Sequence, residues 1–162
     1  MSDAFELGWA LVKMPIIPNS IKEISDDRME AQFQDPKTKE IYPMVSEIGG
    51  YGLETYIMDG KGKPAYSRIS GHYGPEWKTS HAETRPNYRR RGMMTAIYNL
   101  VNEMAKKKNA RLYAHPSNLN DFSAPFWAKH MGLDYEGDEW RSAHTKFQDD
   151  NRSRLYWPEE GV

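Results

Sequence analysis

The chain has 162 residues, enough for one domain with a substantial hydrophobic core. Charged residues make up 28% of it and hydrophobic residues 38%, and the formal net charge of −1 gives the whole molecule no attraction for a polyanion. Because cysteine is absent, disulfides, thiolate metal sites and cysteine nucleophiles are excluded. No run approaches about 18 apolar residues, and the first residues lack the basic and apolar pattern of a leader. We therefore expect a cytoplasmic protein that does not associate with a membrane.

The first part of the chain predicts a helix followed by two strands. Capping-box spacing and a shared apolar face predict a helix over residues 3–14, which Pro15 ends. Alternating polar and apolar residues predict a strand over residues 28–33. A turn at residues 35–39 then leads into a second strand at residues 41–45.

The middle of the chain predicts a hairpin and a further strand. Two strands, at residues 53–58 and 65–72, flank an Asp-Gly-Lys-Gly turn at residues 59–62. A third strand covers residues 77–84, and its period of two places His81 and Glu83 on one face.

The remaining elements complete an α+β pattern. A strong amphipathic helix begins near Met93, its buried stripe being Met93, Ile97, Leu100, Val101 and Met104. A strand at residues 111–115, a helix near residues 122–131, a hairpin over residues 133–147 and a polar tail at 148–162 follow. This order predicts one domain with a mixed, mostly antiparallel sheet flanked by helices.

Residues 88–95, Tyr-Arg-Arg-Arg-Gly-Met-Met-Thr, have the composition of a phosphate-binding loop. N–H groups at a helix start attract anions, Gly92 permits close approach of the backbone, and the arginines add positive charge. The arginines alone would also fit a basic surface turn or a nucleic-acid patch that includes Arg85. The preceding strand, Pro86 and the amphipathic helix favour a phosphate-binding loop, and the near-zero net charge counts against nucleic acid.

This arrangement resembles the pyrophosphate motif of the GNAT superfamily, the acetyl-CoA-dependent N-acetyltransferases. The family motif is Arg-x-x-Gly-x-(Gly/Ala) at a strand-to-helix junction; Arg89 and Gly92 match it, whereas Met94 occupies its last position. Thr84 and Pro86 match the Val-x-Pro that precedes the motif. The resemblance covers residues 53–147. The chain length, the Glu-Thr-Arg-Pro-Asn-Tyr-Arg run at residues 83–89 and the pair Phe126-Trp127 also resemble small phage-encoded members of the family.

The resemblance implies a GNAT-like sheet with splayed central strands and acetyl-CoA as co-substrate, with no metal. It implies that the main chain of the central strand hydrogen-bonds the pantetheine and that the loop N–H groups hold the pyrophosphate. The cofactor-site residues would then be Ala82, Glu83, Thr84, Arg89, Arg90, Arg91, Gly92, Met93, Met94 and Thr95.

A second similarity concerns the family's Asn-x-x-Ala and Phe-Tyr sequences, whose Asn contacts the CoA arm. One register aligns Asn120 and Trp127 with these positions, and the other aligns Asp121 and Ala128. We prefer the first register, which assigns Asn120 to the cofactor site. In both registers the tyrosine that serves many members as general acid is absent.

The candidate catalytic residues are Glu83, Tyr113 and His115. Many family members carry a carboxylate at the position of Glu83, where it would act as a general base through water. Tyr113 and His115 share a face of their strand and are candidates for the missing acid, although each also fits a packing or substrate-contact role. No spacing of histidines and carboxylates indicates a metal site.

The acceptor would be an amine of a small molecule or protein. The sequence does not distinguish among a peptide amine, a lysine, a polyamine, an aminoglycoside and an aminoacyl-tRNA. Nucleic acid is expected only as the tRNA part of such a substrate. The candidate cleft aromatics are Tyr51, Tyr66, Tyr73, Trp77 and Trp127, and the acidic residues that could attract an amine are Glu47, Glu54 and Glu83.

Two functions from different classes therefore remain. The first is an acetyltransferase; the second is a CoA-binding interaction or regulatory protein that has lost catalysis, for which the missing tyrosine and Met94 argue. The apolar residues 155–158 in the tail either close the edge of their own core or dock on a second copy in a homodimer.

Overall fold

The computed structural model describes residues 16–50, 52–115, 119, 123–130 and 155–161, and these form an α+β fold. The helix predicted at residues 3–14 and the hairpin predicted at 133–147 lie outside the described residues. The elements in chain order are β1 (Lys22–Ser25), β2 (Arg28–Gln34), β3 (Ile41–Gly49), β4 (Gly52–Ile57), β5 (Ala65–Ile69), β6 (Glu76–Lys78), β7 (His81–Thr84), a 3₁₀ turn (Pro86–Tyr88), α1 (Met93–Lys107), β8 (Arg111–Ala114), α2 (Ser123–His130) and β9 (Leu155–Tyr156).

The strands form two sheets where the sequence predicted one, and their pairing is mostly antiparallel, in agreement with the prediction. Six strands follow each other in the order β1-β2-β3-β4-β5-β7, and every neighbouring pair among them is antiparallel. A smaller sheet has the order β6-β8-β9, in which β6 and β8 are parallel and β8 and β9 antiparallel.

Period-two alternation decides which face of the large sheet is buried. Met29, Ala31 and Phe33 of β2 are buried, and they lie opposite buried residues of β3 in the ladder. Their polar neighbours, such as Arg28 and Glu30, lie on the other face, because successive side chains of a strand point to opposite sides. The sheet therefore has one face for the core and one polar face.

Helix α1 covers the core face of the sheet. Its predicted stripe is confirmed, since Ile97, Leu100 and Met104 are fully buried against β4, β5 and β8. Lys106 and Lys107 lie in the last turn, where positive charge complements the carbonyl end of the helix. Of the helices described, none is long and apolar enough to cross a membrane.

The apolar segment near the end of the chain packs into the core of its own chain. Leu155 and Trp157 are buried, and β9 pairs with β8. The Trp157 ring lies 5.2 Å from those of Tyr98 and Trp127, and Nδ2 of Asn102 donates to the carbonyls of Pro158 and Glu159. Of the two alternatives for this segment, closure of its own core is observed.

Three strand predictions need correction. The strand predicted at 65–72 ends at Ile69. Strand β1 was not predicted, because all of its residues are exposed and its sequence therefore does not alternate between polar and apolar residues. The strand predicted at 77–84 is two strands, β6 and β7, separated by Thr79 and Ser80.

The break between β6 and β7 shifts the alternation by one residue. Trp77 and Thr79 are buried on the core side, but in β7 Ala82 lies opposite buried Ser67. Between them, the hydroxyl of Ser80 donates to the carbonyl of Arg68 at 2.6 Å. Because β6 and β7 pair with different strands, the alternation of β6 does not continue into β7, and His81 and Glu83 lie on the polar face opposite Arg68 and Tyr66.

Candidate functional site

Within the described residues, strand β7 has one backbone edge without a ladder partner, at the point where the chain passes from the small sheet to the large one. The N–H of Thr79 donates to the carbonyl of Tyr113 at 2.9 Å, and this bond follows the last β6–β8 pair, between Lys78 and Tyr113. From His81 onward β7 pairs with β5 on one side, and its other edge has no ladder partner within the described part of the chain. Residues 81–83 are exposed, so this edge can accept an extended ligand.

The segment between β7 and α1 leads into the first turn of α1, whose N–H groups have no hydrogen-bond acceptor among the described residues. Arg90 and Gly92 adopt left-handed conformations, with φ of 64° and 79°, and Gly92 is the N-cap of α1. The first helical hydrogen bond runs from the N–H of Ala96 to the carbonyl of Gly92. The N–H groups of Met93 to Thr95 therefore have no acceptor within the helix and can face an anion.

A buried ion pair anchors this segment to the β2–β3 turn. Nη1 of Arg91 lies 2.6 Å from Oδ2 of Asp35, a side chain with 0% exposure, and Nη2 of Arg91 donates to the carbonyl of Asn87. Oδ1 of Asp35 accepts the N–H of Lys37 at 2.8 Å. Burial alone would raise the pKa of Asp35, but the hydrogen bonds from Arg91 and the turn hold it below its usual value.

A second anchor joins the segment to the β4–β5 turn. The hydroxyl of Tyr88 donates to Oδ2 of Asp59 at 2.7 Å, and Oδ1 of Asp59 accepts the N–H groups of Lys61 and Gly62. The hydrogen bond from Tyr88 lowers the pKa of Asp59. The Arg91 guanidinium also lies 5.1 Å from the centre of the Tyr88 ring.

The arginines of the motif therefore have different roles. Arg91 is half-buried and bound to Asp35, so its side chain shapes the loop. Arg89 and Arg90 are exposed, and Nε of Arg89 is 3.4 Å from the carbonyl of Thr84. Their guanidinium groups remain at the surface, next to the helix N–H groups.

The departure from the family motif at Met94 is accommodated by the core. Met93 is buried, and Met94 is half-buried and packs against the hydrophobic core. A bulky residue in this orientation can be tolerated next to a phosphate site.

A hydrogen-bonded cluster of Tyr66, His81 and Glu83 lies on the polar face beside the open edge. The Tyr66 hydroxyl is 3.0 Å from Oε2 of Glu83 and 3.0 Å from Nε2 of His81. Burial and the hydrogen bond to Glu83 raise the pKa of Tyr66. Because a hydroxyl has one proton, a Tyr66 that donates to Glu83 must accept from His81, whose Nε2 then carries hydrogen.

The other candidate catalytic residues lie on or just after β8. Tyr113 is half-buried opposite Lys78, with its ring 6.1 Å from that of Tyr156, and His115 is buried. Among the described residues, the hydrogen-bond partner of the Glu83 carboxylate is Tyr66, on the adjacent strand. Asn120, the candidate contact to the CoA arm, lies outside the described residues.

The structure corrects the aromatic substrate cleft. Trp77 and Trp127 have 1% exposure and belong to the core, and Tyr73 is 77% exposed. Of the five candidates, Tyr66 is the one that lies in the polar cluster, and Tyr51 is outside the described residues.

Sequence reasoning missed His130, which lies next to the first turn of α1. Its Nε2 is 3.0 Å from the Thr95 hydroxyl, and its ring packs against Phe126 and Trp157. Burial, followed by the charge of Lys129, lowers the pKa of His130 to about 4, so the ring is neutral at pH 7. The sequence held no signal for this contact, because the two residues are 35 positions apart.

Within the described ranges, no group of histidine, aspartate and glutamate side chains could hold a metal ion. Comparisons with models of protein families, with curated proteins and with solved structures found no match to this chain.

Proposed function

We propose that the protein is a GNAT-type N-acetyltransferase that transfers the acetyl group of acetyl-CoA to an amine. One observation carries the proposal: in the described part of the chain, the unpaired edge of β7 leads through the anchored loop to N–H groups of α1 that have no acceptor. This combination provides hydrogen-bonding groups for an amide-containing arm and then for a pyrophosphate.

Each part of acetyl-CoA has a candidate partner in this arrangement. The pantetheine amides would pair with the main chain of Ala82, Glu83 and Thr84 in the gap where β7 and β8 part, which corresponds to the splayed strands of the family. The pyrophosphate would accept hydrogen bonds from the N–H groups at residues 90–95, with Arg89 and Arg90 supplying charge.

The reaction requires a neutral amine and a protonated leaving group. The amine nitrogen attacks the thioester carbonyl, the C–S bond breaks, the amine loses a proton and the CoA thiolate gains one. Glu83 would accept the amine proton, directly or through water, and the Tyr66–His81 pair would orient its carboxylate. Tyr113 and His115 remain the candidates for the acid that protonates the thiolate.

A two-step experiment tests the proposal. A thermal-shift titration with acetyl-CoA should raise the Tm, because a ligand that binds the folded state stabilises it. Thiol release in the presence of an amine panel then measures transfer. No shift at millimolar acetyl-CoA would refute cofactor binding, and a shift without transfer to any amine would instead support a CoA-binding protein without catalysis.

A further inference from the structure

A cavity of about 380 Å³ opens on the polar face of the sheet, beside the Tyr66–His81–Glu83 cluster. Its volume lies in the range of small-molecule sites. The charged and aromatic residues that line it come from β4, β5, β7 and the segments next to them: Glu54, Lys63, Tyr66, Arg68, Glu83 and Arg85.

The charges within the cavity are not balanced. It contains three cationic side chains and two carboxylates. Lys63 is paired with Glu54 at 2.6 Å, Arg68 lies 3.9 Å from the same carboxylate, and Glu83 accepts the hydrogen bond from Tyr66. In the described part of the chain, no carboxylate lies within ion-pairing distance of Arg85, and its interaction with the Asp59 carboxylate of the β4–β5 turn is electrostatic at longer range. Among the described residues, the Arg85 guanidinium therefore has no carboxylate in direct contact and can bind an anionic group of a ligand.

The position of Arg85 depends on a glycine in the β4–β5 turn. A Cβ added at Gly62 would lie 2.6 Å from Nη2 of Arg85, so the guanidinium packs against the turn where a side chain would otherwise be. The backbone next to it is also held, since the N–H of Arg85 donates to the carbonyl of Pro64 at 2.8 Å. Arg85 is thus held beside the β4–β5 turn, and it lines the cavity together with Glu83.

From this arrangement we propose that the cavity binds the acceptor, and that the acceptor is a small primary amine with a carboxylate or phosphate group. The inference rests on the proposed acetyltransferase function. The anionic group pairs with Arg85, and the amine then lies towards Glu83, which lines the same cavity. Arginine suits this role because its planar guanidinium binds carboxylate and phosphate through two parallel hydrogen bonds.

The same charges disfavour acceptors with several amines. A polyamine or an aminoglycoside would bring additional positive charge next to Arg68 and Arg85, and in a partly enclosed site like charges repel more strongly than in water. A zwitterionic amine instead matches a cavity with carboxylates and an unpaired guanidinium.

Matched amine pairs test the proposal without requiring turnover. The members of each pair differ mainly in the anionic group. The pairs are lysine with cadaverine, phenylalanine with phenethylamine, and ethanolamine phosphate with ethanolamine. The first two pairs test a carboxylate and the last tests a phosphate. Binding is measured by calorimetry in the presence of saturating CoA, which cannot donate an acetyl group. We expect the anionic member of at least one pair to bind about 10- to 100-fold more tightly, the usual effect of a charge-assisted hydrogen bond.

Two substitutions assign the effect to the cavity. Arg85→Gln should remove the preference for the anionic member while leaving the affinity for CoA unchanged. Lys61→Gln is the matched control, because Lys61 is exposed in the same turn and does not line the cavity. The preference should survive in that variant.

The outcomes separate this proposal from the one on which it rests. Equal binding within every pair, or no amine binding at all, overturns the acceptor site. Loss of CoA affinity in Arg85→Gln, with the preference intact, would also overturn it and would place Arg85 in the cofactor site. If the preference is found but no amine is acetylated from acetyl-CoA, the cavity assignment stands and the acetyltransferase proposal fails.

Discussion

The buried carboxylate of Asp35 is paired with the guanidinium of Arg91, 56 positions later in the chain, at 2.6 Å. This ion pair connects the β2–β3 turn to the loop that precedes α1. A second link, from Tyr88 to Asp59, connects the same loop to the β4–β5 turn. Both turns therefore help to hold the loop in the conformation that exposes the helix N–H groups.

Loss of the Asp35–Arg91 pair should destabilise the fold. Arg91→Gln leaves a buried carboxylate without its cation, which typically costs about 3–5 kcal/mol in the free energy of unfolding. Chemical denaturation measures this loss. The control is Arg28→Gln, whose partner Glu47 is 39% exposed, and there we expect about 1 kcal/mol or less. Equal losses in the two variants would show that Arg91 does not anchor the loop.

Substitution of the exposed arginines should instead weaken cofactor binding. In the double variant Arg89→Gln/Arg90→Gln we expect acetyl-CoA to bind about 10- to 100-fold more weakly, because two charge-assisted contacts to phosphate are lost. The free energy of unfolding should stay close to that of the parent, since both side chains are exposed. Lys22→Gln/Lys61→Gln changes the net charge equally and serves as the control. An unchanged affinity in the arginine variant would mean that the pyrophosphate lies elsewhere.

Glu83 should affect the rate of transfer without affecting cofactor binding. Glu83→Gln removes the general base but keeps a side chain of similar size, and we expect kcat at neutral pH to fall by about 10²-fold or more. Tyr66→Phe should lower kcat less, because it removes the hydrogen bonds that orient Glu83 and leaves the base itself. Steady-state kinetics with acetyl-CoA affinity measured in parallel separates these effects. A Glu83→Gln protein with the parent rate would exclude Glu83 as the base.

His130 should make the stability depend on pH below neutrality. Burial lowers its folded pKa from the model-compound value of 6.5 to about 4, so the unfolded chain binds a proton that the folded chain does not. The free energy of unfolding is therefore unaffected by this histidine above about pH 6.5 and decreases as the pH falls towards 4. Denaturation curves recorded at several pH values in this range should show that the free energy of unfolding depends less steeply on pH in His130→Gln than in the parent. An unaltered pH dependence in His130→Gln would contradict this assignment.

Gly62→Ala should alter acceptor selection while preserving stability. The added Cβ would meet the far end of the Arg85 side chain at 2.6 Å, and this flexible group can move away at little energetic cost. We expect the affinity for the anionic member of an amine pair to fall, with the denaturation midpoint nearly unchanged. Gly71→Ala is the matched control, because a Cβ there meets nothing within 4 Å. If Gly62→Ala still prefers the anionic member of each amine pair as strongly as the parent does, the position of Arg85 does not determine which amine is bound.

Local patterns in the sequence were sufficient for much of the fold. The 3.6-residue stripe predicted α1, and the Asp-Gly-Lys-Gly turn predicted the β4–β5 hairpin, because both depend on residues close together in the chain. Strand β1 could not be predicted in this way, since all four of its residues are exposed. The break at Thr79 and Ser80 could not be predicted from the sequence either, because it depends on β6 pairing with β8 and β7 pairing with β5.

The same distinction applies to the candidate site. Gly92 and the arginines around it predicted a phosphate-binding segment from adjacent residues, and the face shared by His81 and Glu83 followed from alternation. The roles of the individual side chains required contacts between distant segments: Asp35 binds Arg91, and Tyr66 joins His81 to Glu83. Adjacent residues specify backbone conformation and periodicity, whereas the pairing of strands and the packing of turns determine which charged groups meet. For this reason the sequence could predict a candidate ligand site, and the folded arrangement determined that Arg91 is bound to Asp35 whereas Arg89 and Arg90 are exposed.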